Sequence, residues 1–253
     1  MGVIEMKSNI FKIGVLIFIF MFFISSVNLK SSIAKVNTVT RTKVNNYKNV
    51  IVNNKELKES SKTLDFDLIY PEVKLDDEHV QNKINIMIKQ EIYGFKKSIE
   101  DIHKESVSMH PTAFKYSASS NFNYEIVDNI LSIKVNLTQF TGGAHPMVFI
   151  RTYNFDLNNG NALKISDIFN KEGNIIYKNK IDDIILNKMK ETPDNYFVDE
   201  FKGIDENIQF YLNKDNIIIV FQLYEIAPYT AGIPEFKIPY SEFKDNLKIN
   251  NLK

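Results

Sequence analysis

The feature that most constrains the fold is one long apolar stripe between Val80 and Ile102. Its members recur at steps of three and four residues: Val80, Ile84, Ile88, Ile92, Phe95, Ile99 and Ile102. This spacing places them along one side of a helix, and a stripe of that length needs a sheet to cover it. The acidic run from Asp76 to Glu78 predicts the helix start, because carboxylates there accept bonds from free backbone N–H groups.

Segments with alternating apolar residues flank this helix and predict strands. Residues 63–70 alternate before Pro71, at which we expect the strand to end. After the helix, two alternating runs at 122–126 and 131–137 lie on either side of Asp128-Asn129, which predicts a hairpin. A further strand is predicted over 148–155.

The second half of the chain repeats this order. A helix is predicted from about Gly173 to Lys190, with Ile176 among its apolar residues, and a hairpin is predicted around Asp215-Asn216. A loop at 230–234 leads into a last strand. Residue identity between the halves is low, so the repeat is one of architecture. The predicted fold class is therefore α+β, with two small modules of antiparallel strands, each with a helix packed on one face.

The N-terminal part of the chain predicts export. An apolar run at 13–27 follows Lys7 and Lys12, and small polar residues follow it. Residues 1–30 are interpreted as a signal peptide, with cleavage after Ala34, or as an uncleaved membrane anchor, and both alternatives stay open. The protein is expected to be extracytoplasmic, either secreted or anchored in the cell membrane. Residues 31–62 have no sustained period and are predicted to form a polar tether, although 47–52 could pair at a sheet edge.

Composition and motifs exclude several classes of function. Lys+Arg 31 and Asp+Glu 31 balance, so the basic excess that nucleic acid binding needs is missing. Cysteine is absent, which excludes disulfides, thiolate metal sites and a cysteine nucleophile. The sequence also lacks the zinc-protease, serine-elbow, phosphate-loop and dinucleotide motifs. We therefore predict no catalytic residues, no metal and no cofactor.

The first candidate binding residues lie in a glycine-containing loop: Thr141, Gly142, Gly143 and His145. The glycines permit a positive φ, and Pro146 stiffens the exit, so the imidazole could be presented at a fixed site. The alternative is that the glycines only make a turn and that His145 bonds a backbone group.

The second candidate group lies in a later loop and consists of Tyr224, Glu225, Tyr229 and Gly232. Tyrosine rings and a carboxylate suit a sugar face or a protein partner, because aromatic faces give rigid contact area. The alternative is that the rings close the end of the sheet. A metal held by His145 and Glu225 would lack a third local ligand.

Two stretches carry a resemblance to known proteins: Phe140 to Pro146, and Tyr224 to Pro234. From about Thr63 to the end, the chain resembles bacterial extracytoplasmic proteins that pair a DUF4163 domain with a DUF3298 domain. The pair occurs in ectodomains of RsiV-like anti-sigma factors that respond to lysozyme. It also precedes the catalytic domain of PdaC-like peptidoglycan deacetylases. The resemblance implies a DUF4163-like α+β module at 63–146 and a DUF3298-like α+β module at 147–253.

The resemblance implies a noncatalytic extracytoplasmic module that binds or senses cell-wall material such as peptidoglycan, or a wall-directed protein such as lysozyme. Only about twelve residues precede the apolar run, so direct sigma-factor binding is not expected, and no separate deacetylase domain is expected after Lys253. The alternative is an enzyme that acts on peptidoglycan glycans or peptides, with His145 and Glu225 as acid/base candidates.

Overall fold

A computed structural model of the chain describes residues 49–109 and 114–249. The predicted export or anchor segment at 1–30 lies outside these residues, as do residues 31–48. The described residues all belong to one compact unit. None of the helices in the described ranges combines the length and apolar character needed to span a membrane.

The first sheet has six strands that lie side by side in chain order, and the long helix connects two of them. β2 and β3 are parallel and every other neighbouring pair is antiparallel, so α1 is the crossover between β2 and β3. The bounds are β1 (Ile51–Ser60), β2 (Leu64–Lys74), α1 (Glu78–Met109), β3 (Tyr116–Val127), β4 (Ile130–Phe140), β5 (Met147–Asp156) and β6 (Asn161–Ala162).

The predicted stripe of α1 covers one face of this sheet. Six of its seven residues are buried, and Ile102 at its end is half-buried. Asp77 Oδ1 accepts the backbone N–H groups of His79 and Val80, at 3.0 Å and 3.1 Å. The predicted acidic cap is therefore confirmed.

Pro71 does not end β2, which continues to Lys74. β3 pairs only with residues 64–68 of β2. Beyond that point side chains bond the free backbone, since Ser120 donates to the Ile69 carbonyl and the Asn85 amide bonds both backbone groups of Val73. Pro71 lies between Ile69 and Val73, and its backbone nitrogen faces the same side of β2 as their backbone groups. On that side β2 bonds no neighbouring strand here, so the missing N–H of Pro71 removes no strand-to-strand bond.

The predicted tether is wrong for residues 51–60, which form β1 and pair antiparallel with β2. β1 lies at the edge of the sheet and most of its side chains are exposed, with Leu57 half-buried. An edge strand of this kind carries polar residues on both faces, so it lacks the apolar alternation by which strands are recognised in a sequence.

The second sheet has three antiparallel strands in the order β7-β8-β9 and packs against the second helix. The bounds are α2 (Gly173–Glu191), β7 (Gln209–Leu212), β8 (Asn216–Val220) and β9 (Glu235–Pro239). Ile181, Ile185 and Met189 of α2 are buried, whereas Ile176, predicted on the same face, is 41% exposed. The predicted α+β class is confirmed, with the parallel β2–β3 pair as the exception to antiparallel pairing.

Buried amide and hydroxyl groups join the two sheets. The Asn154 side chain donates to the Phe210 carbonyl at 2.8 Å and accepts from Ser132 Oγ at 2.8 Å. Ser132 Oγ in turn accepts the N–H of Leu212. Because β5 pairs with β4, the first sheet continues past the predicted module boundary at residue 146.

Candidate functional site

The first candidate loop, which we name loop A, comprises residues 141–146 and connects β4 to β5. Gly142 and Gly143 have φ of 101° and 107°, values that residues with a side chain rarely adopt. A Cβ on Gly142 would also lie 2.3 Å from Cζ of Phe114, whereas a Cβ on Gly143 would meet nothing within 4 Å. Glycine is therefore required at both positions by the backbone conformation, and at Gly142 also by the close packing of Phe114.

The second loop, loop B, comprises residues 221–234 and connects β8 to β9. Tyr224 has φ of 65°, in the left-handed region that is strained for a residue with a Cβ. Two reciprocal bonds close the chain around it: the Gln222 N–H donates to the Glu225 carboxylate at 2.7 Å, and the Glu225 N–H donates to the Gln222 carbonyl at 3.2 Å. The loop thus holds Tyr224 in a conformation that the residue alone disfavours.

The two loops meet through three side chains, His145, Tyr224 and Tyr229, which we name the aromatic cluster. The His145 and Tyr229 rings stack with centroids 3.8 Å apart and planes 24° from parallel. Tyr229 also donates its hydroxyl to the Pro146 carbonyl at 3.1 Å. The Tyr224 hydroxyl lies 3.5 Å from His145 Nε2, and its ring centroid lies 5.9 Å from that of Tyr229. Residues 84 positions apart in the chain therefore form one surface.

The aromatic cluster is accessible from outside. Tyr224 is 47% exposed, and His145 and Tyr229 are half-buried. The contacts that join the loops come from this cluster and from Pro146. A role in binding stays a prediction for all the candidate residues, for those of the aromatic cluster as for Thr141, Gly142, Gly143, Glu225 and Gly232.

The surroundings of His145 fix its tautomer. Nδ1 lies 3.1 Å from the Pro146 carbonyl oxygen, which can only accept, so Nδ1 carries the proton and donates. In neutral His145, Nε2 is then an acceptor that faces the Tyr224 hydroxyl. The ring is held in place by one stacking contact and by polar groups at both nitrogens.

Glu225 is exposed over much of its surface, but its carboxylate is directed toward its own loop. Partial desolvation raises the pKa of Glu225, while the bond from the Gln222 N–H opposes that rise. In the part of the chain that the structure describes, the hydrogen bonds of Glu225 and His145 go to different groups. The geometry therefore does not assemble them as an acid/base pair.

Sequence reasoning missed Gln222, which holds loop B beside the strand that follows loop A. Its side-chain amide bonds both the N–H and the carbonyl of Ile150 in β5, each at 3.0 Å. A glutamine in a loop carries no pattern in the sequence, because its partner is 72 residues away. Phe114, which packs under Gly142, was missed for the same reason.

No group of three or more metal-binding side chains is assembled among residues 49–109 and 114–249. In those ranges the candidate site consists of aromatic rings, backbone carbonyls and one carboxylate.

Two family models match the chain in succession. Residues 57–148 match the family described as "Deacetylase PdaC", and residues 166–241 match "Protein of unknown function (DUF3298)". The first match contains loop A, and the second contains loop B.

Two curated relatives from Bacillus subtilis (strain 168) are each 26% identical over 196 residues. One is named peptidoglycan-N-acetylmuramic acid deacetylase PdaC, and the match covers 74% of this chain and 40% of that protein. The other is named anti-sigma-V factor RsiV, with coverage of 73% and 66%. The chain thus spans less than half of PdaC and about two thirds of RsiV.

Solved structures of DUF3298 family members share the fold. A protein from Bacteroides fragilis has a TM-score of 0.57 at 23% identity, covering 78% of this chain and 93% of that one. A protein from Pseudomonas aeruginosa has a TM-score of 0.51 at 18% identity, covering 79% and 94%. Together with the family models, these matches confirm the predicted resemblance: a segment that matches the PdaC model is followed by a segment that matches the DUF3298 model.

Proposed function

We propose that this protein is a noncatalytic extracytoplasmic module that binds or senses cell-wall material or a wall-directed protein such as lysozyme. The aromatic cluster of loops A and B is the contact surface.

The observation that carries the proposal is the 3.8 Å stacking of His145 on Tyr229, which unites the two loops. The cluster presents the exposed Tyr224 ring beside a stacked pair. Rigid aromatic faces provide large contact area at low entropic cost, for sugar rings and for protein surfaces alike. Strain at Tyr224 supports a role in binding, because strained backbone is retained where the surrounding structure holds a side chain in position.

The relatives support the choice of ligand. PdaC is named a deacetylase of peptidoglycan, and RsiV is named an anti-sigma-V factor. Each of the two matches about three quarters of this chain. Similarity to both an enzyme of the wall and an anti-sigma factor fits recognition better than chemistry. The predicted export segment at 1–30 supports the location.

The test is binding of the full chain to purified peptidoglycan, by co-sedimentation, and to lysozyme, by titration. We expect binding to one of the two, and at least a tenfold loss of affinity in Tyr224→Ala and Tyr229→Ala. Tyr124→Ala is the matched control, since Tyr124 is 44% exposed and pairs with Ile133, near the opposite end of β4 from loop A. The absence of binding to both ligands, or equal loss in the control, contradicts the proposal.

The alternative is an enzyme that acts on peptidoglycan glycans or peptides. The raised pKa of Glu225, caused by its partial burial, favours it, because general acids in enzymes are carboxyl groups whose pKa is raised in this way. Release of soluble wall fragments by the wild type, lost in both His145→Ala and Glu225→Gln, would establish this alternative. Release that is absent, or equal in the variants, would exclude these residues as the acid/base pair.

A further inference from the structure

β1 is the terminal strand of the first sheet, and it is ten residues long. No strand of the described residues lies on its outer side, so the backbone groups there lack a sheet partner. β6 at the other end of the sheet has only two residues. An open edge of this length is a template for another strand.

The charges of β1 are arranged symmetrically about Leu57. Lys55 lies two residues before it and Glu59 two residues after, while Glu56 and Lys58 are its immediate neighbours. Reading the strand backwards therefore exchanges every positive charge for a negative one. This is the pattern that an antiparallel copy of the same strand complements.

The pairing register follows from this pattern. In an antiparallel pair, two opposite residues direct their backbone N–H and C=O groups either both toward the partner strand or both away from it. These two kinds of residue alternate along a strand, so a two-fold axis between identical strands must place one residue opposite its own copy. Centring on Lys55, Glu56, Lys58 or Glu59 places like charges together. With Leu57 at the centre, Lys55 faces Glu59 and Glu56 faces Lys58 of the other copy, and each pair occurs twice.

These side chains remain available although each has an ion pair within its own chain. Lys55 lies 3.2 Å from Glu72 yet its side chain stays 48% exposed. Lys58 lies 2.9 Å from Glu56, with 56% and 54% of those side chains exposed. Glu59, paired with Lys96, is 56% exposed. Pairs between two exposed side chains, such as those of Lys55 and Lys58, contribute little to stability. In the Glu59 pair only Glu59 is exposed, since the Lys96 side chain is 13% exposed.

We propose that β1 pairs antiparallel with β1 of a second copy of this chain, with Leu57 on the two-fold axis. The two first sheets then form one continuous sheet. The proposal does not depend on the ligand of the aromatic cluster.

The absence of cysteine from the sequence makes a register-specific test possible. In Leu57→Cys the two introduced residues lie opposite each other, with Cα atoms about 4.5–5.5 Å apart, within the ~4.4–6.8 Å that a disulfide spans. Asn53→Cys is the matched control, because residue 53 is also half-buried on β1. In the proposed register its two copies lie eight positions apart, roughly 27 Å.

The experiment uses the full chain under mild oxidation and measures covalent dimer on a nonreducing gel. We expect at least tenfold more dimer in Leu57→Cys than in Asn53→Cys. Equal yields from the two variants, or no dimer from Leu57→Cys, would overturn the proposal, including the case in which β1 pairs with a different protein.

A second comparison tests the charges within the Leu57→Cys background. Adding Lys55→Glu places like charges opposite each other twice, so the dimer yield should fall at least fivefold. Adding Glu59→Lys as well restores opposite charges and should restore the yield. Lys62→Glu, an exposed change outside β1, should have no effect, and thermal unfolding of each variant confirms that it folds. A double variant that does not recover contradicts the register.

Discussion

The two α-helices that the structure describes are covered by different kinds of structure. α1 packs its whole stripe onto the strands of the first sheet, and its core contains regular elements almost throughout. α2 is shorter, and its core takes many side chains from loops and short 3₁₀ helices. These are Ile165, Ile168, Phe169, Ile204, Phe221, Ile226, Tyr240, Phe243 and Ile249.

This difference shows which elements stabilise each half. The first half is held by periodic elements whose burial follows from local sequence. The second half depends on loops that fold back over the helix, such as the one in which Gly203 packs against Asp182. The aromatic cluster lies where a loop of the first sheet meets a loop of the second, so it requires both halves to be folded and joined.

The largest expected effect tests whether the halves are independent. Ile84→Ala removes a fully buried side chain of α1 and should lower the free energy of unfolding by about 2–5 kcal/mol. Ile86→Ala, two residues along and 55% exposed, should change it by less than about 0.5 kcal/mol. Denaturant unfolding followed by circular dichroism should show one transition for both. Two transitions, of which Ile84→Ala moves only one, would show that the halves unfold separately.

The next effect concerns the polar joint between the sheets. Asn154→Ala leaves the Phe210 carbonyl and Ser132 without their buried partner, which should cost about 1–3 kcal/mol. Asn123→Ala, on an exposed position of β3, is the control. The same denaturation experiment measures both. A cost no larger than that of the control would mean that the joint is maintained by apolar packing.

A smaller effect tests the strain in loop B. Tyr224→Ala and Tyr224→Gly both remove the ring, but only glycine adopts a φ of 65° without a steric penalty. The glycine variant should therefore be more stable than the alanine variant by about 1 kcal/mol in thermal unfolding. Equal stability would mean that the loop relaxes once the ring is gone.

The smallest effect is a pH dependence in the second half. Burial raises the pKa of Asp182, whose carboxylate accepts the Ile204 N–H at 2.7 Å. A raised folded-state pKa gives stability that is fully present below the ordinary value of 3.8 and is lost as the pH rises through the raised value. The Asp182→Asn variant keeps an oxygen that can accept the Ile204 N–H, but its side chain cannot titrate. The stability of this variant should therefore fall less than that of the wild type as the pH rises over that range. Asp183→Asn on the exposed side is the control, and matching pH profiles would contradict the assignment.

The sequence predicted the elements whose burial is periodic. The stripe of α1, the Asp77 cap and both hairpins are confirmed because each depends on residues within a few positions of one another. Apart from the suggestion that residues 47–52 could pair at a sheet edge, β1 was missed because an exposed edge strand has no apolar period. Pro71 was wrongly expected to end β2, because the effect of its missing N–H depends on whether that side of the strand bonds a neighbouring strand.

The candidate residues of both loops were chosen from the sequence, but their meeting was left open there. Local pattern identifies loops with glycine, proline and tyrosine, since these residues have conformational properties of their own. The stacking of His145 on Tyr229 depends on how the two halves are joined. Asn154 and Gln222 make this connection by bonding the backbone of Phe210 and Ile150, each more than 50 residues away. By itself the sequence determined helices, hairpins and turns, because their energies are local. The tertiary structure alone decided the aromatic cluster, because its energy comes from contacts that exist only after both halves have packed.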